Sequence, residues 1–219
     1  MEHHYTFHHE LTKLNKKLLK LSTLVEERVR TAAKVIESKD QDIIQSIIVS
    51  DYEVDEMEID IEEDCLKILA LHQPVASDLR FLIAVIKINN EMERIADIAV
   101  NIAKRVDNIS KFNHPAAITY DFSKMSERVL SMLKKSIDAL VNNDAKLARS
   151  IFLDDDIVDA YRNRCYEDIK ERIKKDSEHP GYHINTYLLA RHLERIADRA
   201  VNIAEEVIYY VEGTITRFN

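Results

Sequence analysis

Apolar residues recur at helical spacing along nearly the whole chain, and few polar stretches interrupt them. From about Phe7 to Ile36 hydrophobic positions return every three or four residues, the period of a helix with one buried face. Asp40 follows and is placed to cap a second helix. Pro74 ends that helix, because the residue before a proline avoids helical angles. The run ASDLRFLIAVIKI opens a third. The stretch DNISKFNHPAAITYD, with Pro115, reads as a linker. Beyond it three more helices are predicted over roughly 122–142, 144–177 and 182–212, with Pro180 and Gly181 between the last two. No segment has the alternating, glycine-punctuated pattern of strands. The expected fold is all-α, six helices in two tandem antiparallel three-helix bundles, residues 1–112 and 113–219.

The two halves carry a repeated segment. Residues 93–103 read ERIADIAVNIA and residues 194–204 read ERIADRAVNIA, differing only at Ile98 and Arg199. Such self-similarity marks two copies of one structural unit. In each copy polar residues stand four apart: Glu93, Asp97 and Asn101, then Glu194, Asp198 and Asn202. On a helix that spacing stacks three oxygen-bearing side chains in one stripe, about 6 Å apart in rise. Like charges at this spacing repel and weaken an isolated helix. A positive group is therefore expected against each stripe. Met92, Ile95, Ala96, Ala99, Val100, Ile102 and Ala103 cover nearly half the helix circumference, and the polar stripe borders that arc.

A second acidic ladder precedes each repeat. Positions alternately four and three apart read Ile44, Ile48, Asp51, Asp55, Glu58, Glu62, Cys65, Leu69 in the first half. The equivalent series in the second half is Ala148, Phe152, Asp155, Asp159, Arg162, Tyr166, Ile169, Ile173. This is a heptad seam, which normally faces a partner helix. Its apolar ends fit that role and its acidic middle does not. Buried carboxylates must pair, bind metal, take up protons or reach water. Arg162 can neutralise one acid in the second half, whereas the first-half seam holds no cation. Val54, Met57 and Ile61 form an adjacent apolar arc, which would set the acids at a bundle edge.

Composition narrows the classes. Two glycines and three prolines among 219 residues, with 46% hydrophobic and 32% charged residues, suit long helices with few turns. There is no apolar run long enough to span a membrane and no basic-then-apolar start, so a soluble, cytoplasmic protein is expected. A net charge of −8 argues against nucleic acid as the partner. The basic group Lys170, Arg172, Lys174 and Lys175 reads as solvated helix surface. The same acidity would repel anionic lipid, so membrane association is expected only through partners. Cys65 and Cys165 stand alone, without metal-knuckle or disulfide spacing. His192 lies on a different face from Glu194, and no histidine shares the acidic stripes. Asp78 suits a helix N-terminus, and Arg80 is expected to pair with an acid on the second helix. Tyr209 and Tyr210 are expected to pack against the core and its rim.

The acidic DxxVD of the second helix, the stretch HQPVASDLRFLIAVIKI and the ERIADxAVNIA segment together resemble the PhoU family of phosphate-uptake regulators. The resemblance spans essentially the whole chain. It implies two PhoU three-helix bundles, often dimeric, whose E/DxxxD motifs can hold multinuclear metal clusters. Carried onto this sequence, the motifs fall on Asp51 and Asp55, Glu93 and Asp97, Asp155 and Asp159, and Glu194 and Asp198, with Asn101 and Asn202 flanking. Oxygen-rich sets of this kind suit hard or borderline cations, and the resemblance implies iron or zinc foremost, and otherwise manganese or magnesium. The resemblance further implies a non-catalytic negative regulator of phosphate uptake and phosphate-starvation signalling. Its implied partners are the ATPase of the phosphate ABC transporter and a membrane sensor histidine kinase. The second half departs from the pattern at Arg162 and Tyr166 and in lacking a PVASDLR segment.

Two other classes compete. A di-metal oxidase bundle needs Glu-x-x-His pairs, and the chain has no ExxH. A nucleotide pyrophosphatase reading needs ExxE followed downstream by ExxD. Glu53 and Glu56 supply the first, but the repeated motif is one residue too long for the second. A metal-free interaction bundle would keep the partners and drop the ions.

Overall fold

The computed structural model describes residues 2–50, 52–112 and 120–215, with side chains from residue 6 onward. These residues form seven helices and no strand: α1 (Glu2–Ser38), α2 (Gln41–Val49), α3 (Tyr52–His72), α4 (Ala76–Ser110), α5 (Ser123–Asn142), α6 (Ala145–Lys175) and α7 (Pro180–Glu212). The all-α class is as expected, but the second predicted helix is two.

Local chemistry sets most of the ends. Asp40 caps α2, its carboxylate accepting from the amides of Asp42 at 3.0 Å and Ile43 at 3.2 Å. Asp144 caps α6 in the same way through the Leu147 amide at 2.9 Å. Asn143 ends α5 in a left-handed conformation, and Gly213, at φ 74°, ends α7. Pro180 opens α7 rather than merely preceding it, because the first helical position needs no amide hydrogen. The break between α2 and α3 had no proline or glycine to announce it. There the buried Arg28 of α1 donates to the Ser50 carbonyl, which also accepts from the Glu53 amide at 3.3 Å.

Helices α1 to α4 pack together, α5 to α7 pack together, and the contact of α4 with α7 joins them, with a smaller contact of α1 on α5. One hydrophobic core runs through both groups. The linker around Pro115 lies outside the described residues. No helix among the described residues is long and apolar enough to cross a membrane. Tyr210 packs on Phe81 with ring centroids 5.3 Å apart, and Lys87 lies over Tyr209. Among the described residues Arg80 makes no pair with an acid on the second predicted helix. Its guanidinium lies against Gly213 at the carbonyl end of α7, where the helix dipole favours a cation.

The one difference between the repeats falls on either side of this junction. Ile98 is 2% exposed, whereas Arg199 is half-buried and donates from Nη1 to Oε2 of Glu91, 3.3 Å away on α4. Asn202 donates to the same oxygen at 3.2 Å. Identical positions in sequence therefore have opposite requirements. Ile98→Arg should destabilise by roughly 3–5 kcal/mol, an unpaired charge in the core. Arg199→Ile should cost only about 1 kcal/mol, because Glu91 keeps Asn202 and water. Urea unfolding of both variants checks the asymmetry; equal losses would refute it.

Candidate metal centre

The acids of each half arrive on two neighbouring helices, α3 with α4 and α6 with α7. On α3, Val54, Ile61, Cys65 and Ile68 face the core, so the acidic ladder is turned to the rim. Asp55 and Glu62 are exposed and Glu58 is half-buried. On α4, Glu93 and Asn101 are half-buried and Asp97 is exposed. Burial first, and then Asp97, Asp55 and Glu58, push the Glu93 carboxyl up. Glu58 is pushed up by burial and then by Glu62 and Asp55. These carboxylates thus lie close enough to repel one another. Among the described residues no salt bridge reaches Asp55, Glu58, Glu62, Glu93 or Asp97. Asp51, the first member of this ladder, lies outside the described residues.

One contact beneath this cluster has no counterpart in the sequence reading. Asn89 is fully buried on α4 and donates from Nδ2 to the backbone carbonyl of Glu58 at 2.8 Å, tying α3 to α4 below the acids. Ala190 stands at the equivalent place in the second repeat. A lone asparagine inside an apolar helical arc was the available signal.

In the second half the same ladder is met by cations. Glu194 is buried, and its carboxylate accepts from Arg162 Nε at 2.9 Å and from Arg191 Nη1 at 2.5 Å. Arg162 also comes within 3.7 Å of Asp159. Sequence analysis placed Arg162 here and missed Arg191, one helical turn before Glu194. Burial pushes the Glu194 and Asp198 carboxyls up against the pull of nearby arginines. Asp155 is pushed up to about 6, by burial and then by Asp198, Asp159, Asp156 and Glu194. Its neighbour Asp154 points the other way, onto α5, where Arg128 at 2.8 Å and Lys135 at 2.6 Å neutralise it. Asn202 turns to Glu91 across the α4–α7 junction.

The donor chemistry suits a hard or borderline cation, since carboxylates with raised proton affinity gain most from a positive ion. As placed, no three histidine, cysteine, aspartate or glutamate side chains among the described residues converge on one point that would hold an ion. Coordination in the first half would draw on Asp55, Glu58, Glu93 and Asp97 after side-chain rotation. In the second half two guanidinium groups already occupy the carboxylate of Glu194, and the fit to a metal is poor. Burial pushes the thiols of Cys65 and Cys165 up to about 12, so neither supplies a thiolate.

The raised Asp155 carries a pH signature. Its folded pKa exceeds the ordinary carboxylate value of 3.8, so the protonated form is favoured by folding. That contribution is complete below about pH 4 and is lost as pH rises through about 6. In chelator-treated protein, Asp155→Asn should therefore stabilise at pH 7.5 by on the order of 1 kcal/mol, discounted for partial exposure. The melting midpoint should rise by about 2–4 °C in a chain of this size. The gain should vanish at pH 4, and a gain that persists there would contradict the assignment.

The PhoU domain description matches residues 18–106 and again 122–207. A PhoU homologue of Thermotoga maritima, named a phosphate-specific transport system accessory protein, is 30% identical over 213 residues, covering 97% of this chain and 92% of the relative. The homologue of Pseudomonas aeruginosa, named in the same way, is 32% identical over 219 residues, covering 99% and 90%. The crystal structure of PhoU from Pseudomonas aeruginosa superposes with a TM-score of 0.90 at 33% identity, covering 95% of this chain and all of that one. That of the phosphate transport system regulatory protein PhoU from Streptococcus pneumoniae gives 0.88 at 30% identity, over 97% of this chain. These names describe accessory and regulatory proteins of phosphate transport, not enzymes. With two domain copies in tandem and full-length likeness in both sequence and fold, this chain belongs to the PhoU family of phosphate-transport regulators.

Proposed function

We propose that this protein is a non-catalytic negative regulator that restrains phosphate uptake and phosphate-starvation signalling when phosphate is plentiful. It acts as a cytoplasmic adaptor, as a homodimer, on the ATPase of a phosphate ABC transporter and on the associated sensor histidine kinase. The observation that carries this reading is the match of both halves to relatives named for phosphate-specific transport. An adaptor biases its partner only by binding one of the partner's states more tightly than the other, which calls for a fixed surface. A helical bundle with one continuous core supplies that rigidity.

The first-half carboxylates hold iron or zinc, or failing those manganese or magnesium. The reading is supported by four acids, Asp55, Glu58, Glu93 and Asp97, that repel one another and make no salt bridge among the described residues, with Arg94 the one cation whose charge reaches Glu93. When bound, the ion supplies positive charge that cross-links α3 to α4. The chain's own part is to hold those carboxylates at a common rim, fixed from beneath by Asn89. The second half uses Arg162 and Arg191 for the same purpose. A metal-free bundle is the second reading, favoured by the failure of three ligands to converge as placed.

Metal analysis by mass spectrometry decides between them. Wild type should carry metal, and Asp55→Asn, Glu58→Gln, Glu93→Gln and Asp97→Asn together should remove most of it. Arg162→Glu with Arg191→Asn, which gives the second half the residues of the first, should raise the metal content. Negligible metal in all three proteins would leave the metal-free bundle. The regulatory reading has its own test. In cells whose own copy is deleted, phosphate uptake in phosphate-rich medium should rise several-fold, and this chain should restore it to normal. Equal uptake with and without the chain would refute regulation of transport.

A further inference from the structure

Helix α3 presents a second ordered face, opposite its core side. Tyr52, Ile59 and Leu66 stand seven residues apart and are 57%, 55% and 54% exposed. Seven residues bring a helix back to within about 20° of its starting direction, so the three form one stripe. The stripe lies roughly 150° around the helix from the buried Val54, Ile61 and Cys65 at 100° per residue. Acids border it on both sides, Asp55 and Glu62 along one edge and Glu56 and Glu63 along the other. Among the described residues none of these four makes an ion pair. The acids of α3 that do, Asp60 and Asp64, share Lys17 of α1 at 2.6 Å on another side of the helix.

Scattered exposed apolar residues need no explanation, but a heptad-spaced row flanked by uncompensated acids is half of a coiled-coil seam. Its complement is a helix with an apolar row bordered by lysine or arginine. A second copy of this chain docked by the same face would set acid against acid, and anionic lipid or nucleic acid would be repelled likewise. We propose that the Tyr52–Ile59–Leu66 face of α3 is the docking surface for a basic amphipathic helix of a partner protein. The inference rests on the adaptor reading, since it names the chemistry of the segment that a partner presents. The apolar row supplies affinity, and the flanking acids select the sign of charge and speed encounter.

The probe is a synthetic helical peptide of about 21 residues with leucine at the seam positions and lysine beside them, and a twin with glutamate for lysine. Calorimetry should give the lysine peptide a Kd on the order of 10 μM and the glutamate peptide no measurable binding. Ile59→Ser with Leu66→Ser, and separately Glu56→Gln with Glu63→Gln, should each weaken binding by about tenfold or more. All four positions are exposed, and circular dichroism verifies that the variants fold. Glu167→Gln with Glu171→Gln, acids paired with Lys170 and Lys174 on α6, should leave binding unchanged. No binding by wild type, equal loss in the α6 control, or binding indifferent to the α3 changes would overturn the proposal. So would wild-type self-association in sedimentation that Ile59→Ser with Leu66→Ser abolishes, which would assign the stripe to a second copy. Purified protein and peptide suffice for these measurements, so their failure is separable from a failure of the uptake test.

Discussion

Ala96, Ala99 and Ala103 on α4 and Ala197, Ala200 and Ala204 on α7 are all buried, and these two helices make an extensive contact with each other. Alanine gives a helix little side-chain thickness and costs no rotamer entropy on burial, so neighbouring helices approach closely. The remaining helices pack around this pair in two groups with one shared core. A core so closely filled admits charge only where a partner meets it, as at Glu194 and Asp154, because an unpaired carboxylate inside it would lose its water without compensation. The acids are consequently pushed to the rims where α3 meets α4 and α6 meets α7.

The two rims resolve the same problem differently. In the second half Arg162 and Arg191 clasp Glu194, so the counter-charge is built into the chain. In the first half Glu58 takes the place of Arg162 and Asn90 that of Arg191, and the acids repel one another with no salt bridge among the described residues. A duplicated unit has thus kept its acidic framework twice while only one copy neutralises itself. The half that does not is the one whose charge state an external cation can alter. Junction residues diverge in the same manner: Ile98 is buried in the core, while Arg199 reaches across to Glu91.

The uncompensated acids and the exposed row on α3 share one helix, which places the candidate metal rim beside the candidate docking face. Asp55 and Glu62 border both. A cation at the rim would reduce the negative charge along one edge of the row and leave Glu56 and Glu63 along the other. Ion binding and partner binding would then be coupled through charge alone, without any change of fold, since each modifies the field the other meets.

Helix period, the near absence of glycine and proline, and the repeated segment were sufficient to determine the all-α class, the duplication and the position of nearly every helix end. Those are local properties, fixed by backbone preference and by capping groups such as Asp40 and Asp144 a few residues away. The same series of positions also marked the acids and Arg162, because four-residue spacing dictates which side chains share a stripe. Three features depended on which helices became neighbours. The α2–α3 break is held by Arg28 from α1, Asn89 of α4 donates to the Glu58 carbonyl of α3, and Arg199 finds Glu91 some hundred residues earlier. Each joins groups whose proximity only packing creates, and a one-dimensional pattern holds no distance between helices. Whether a carboxylate is paired, repelled or solvated was therefore decided by the tertiary structure.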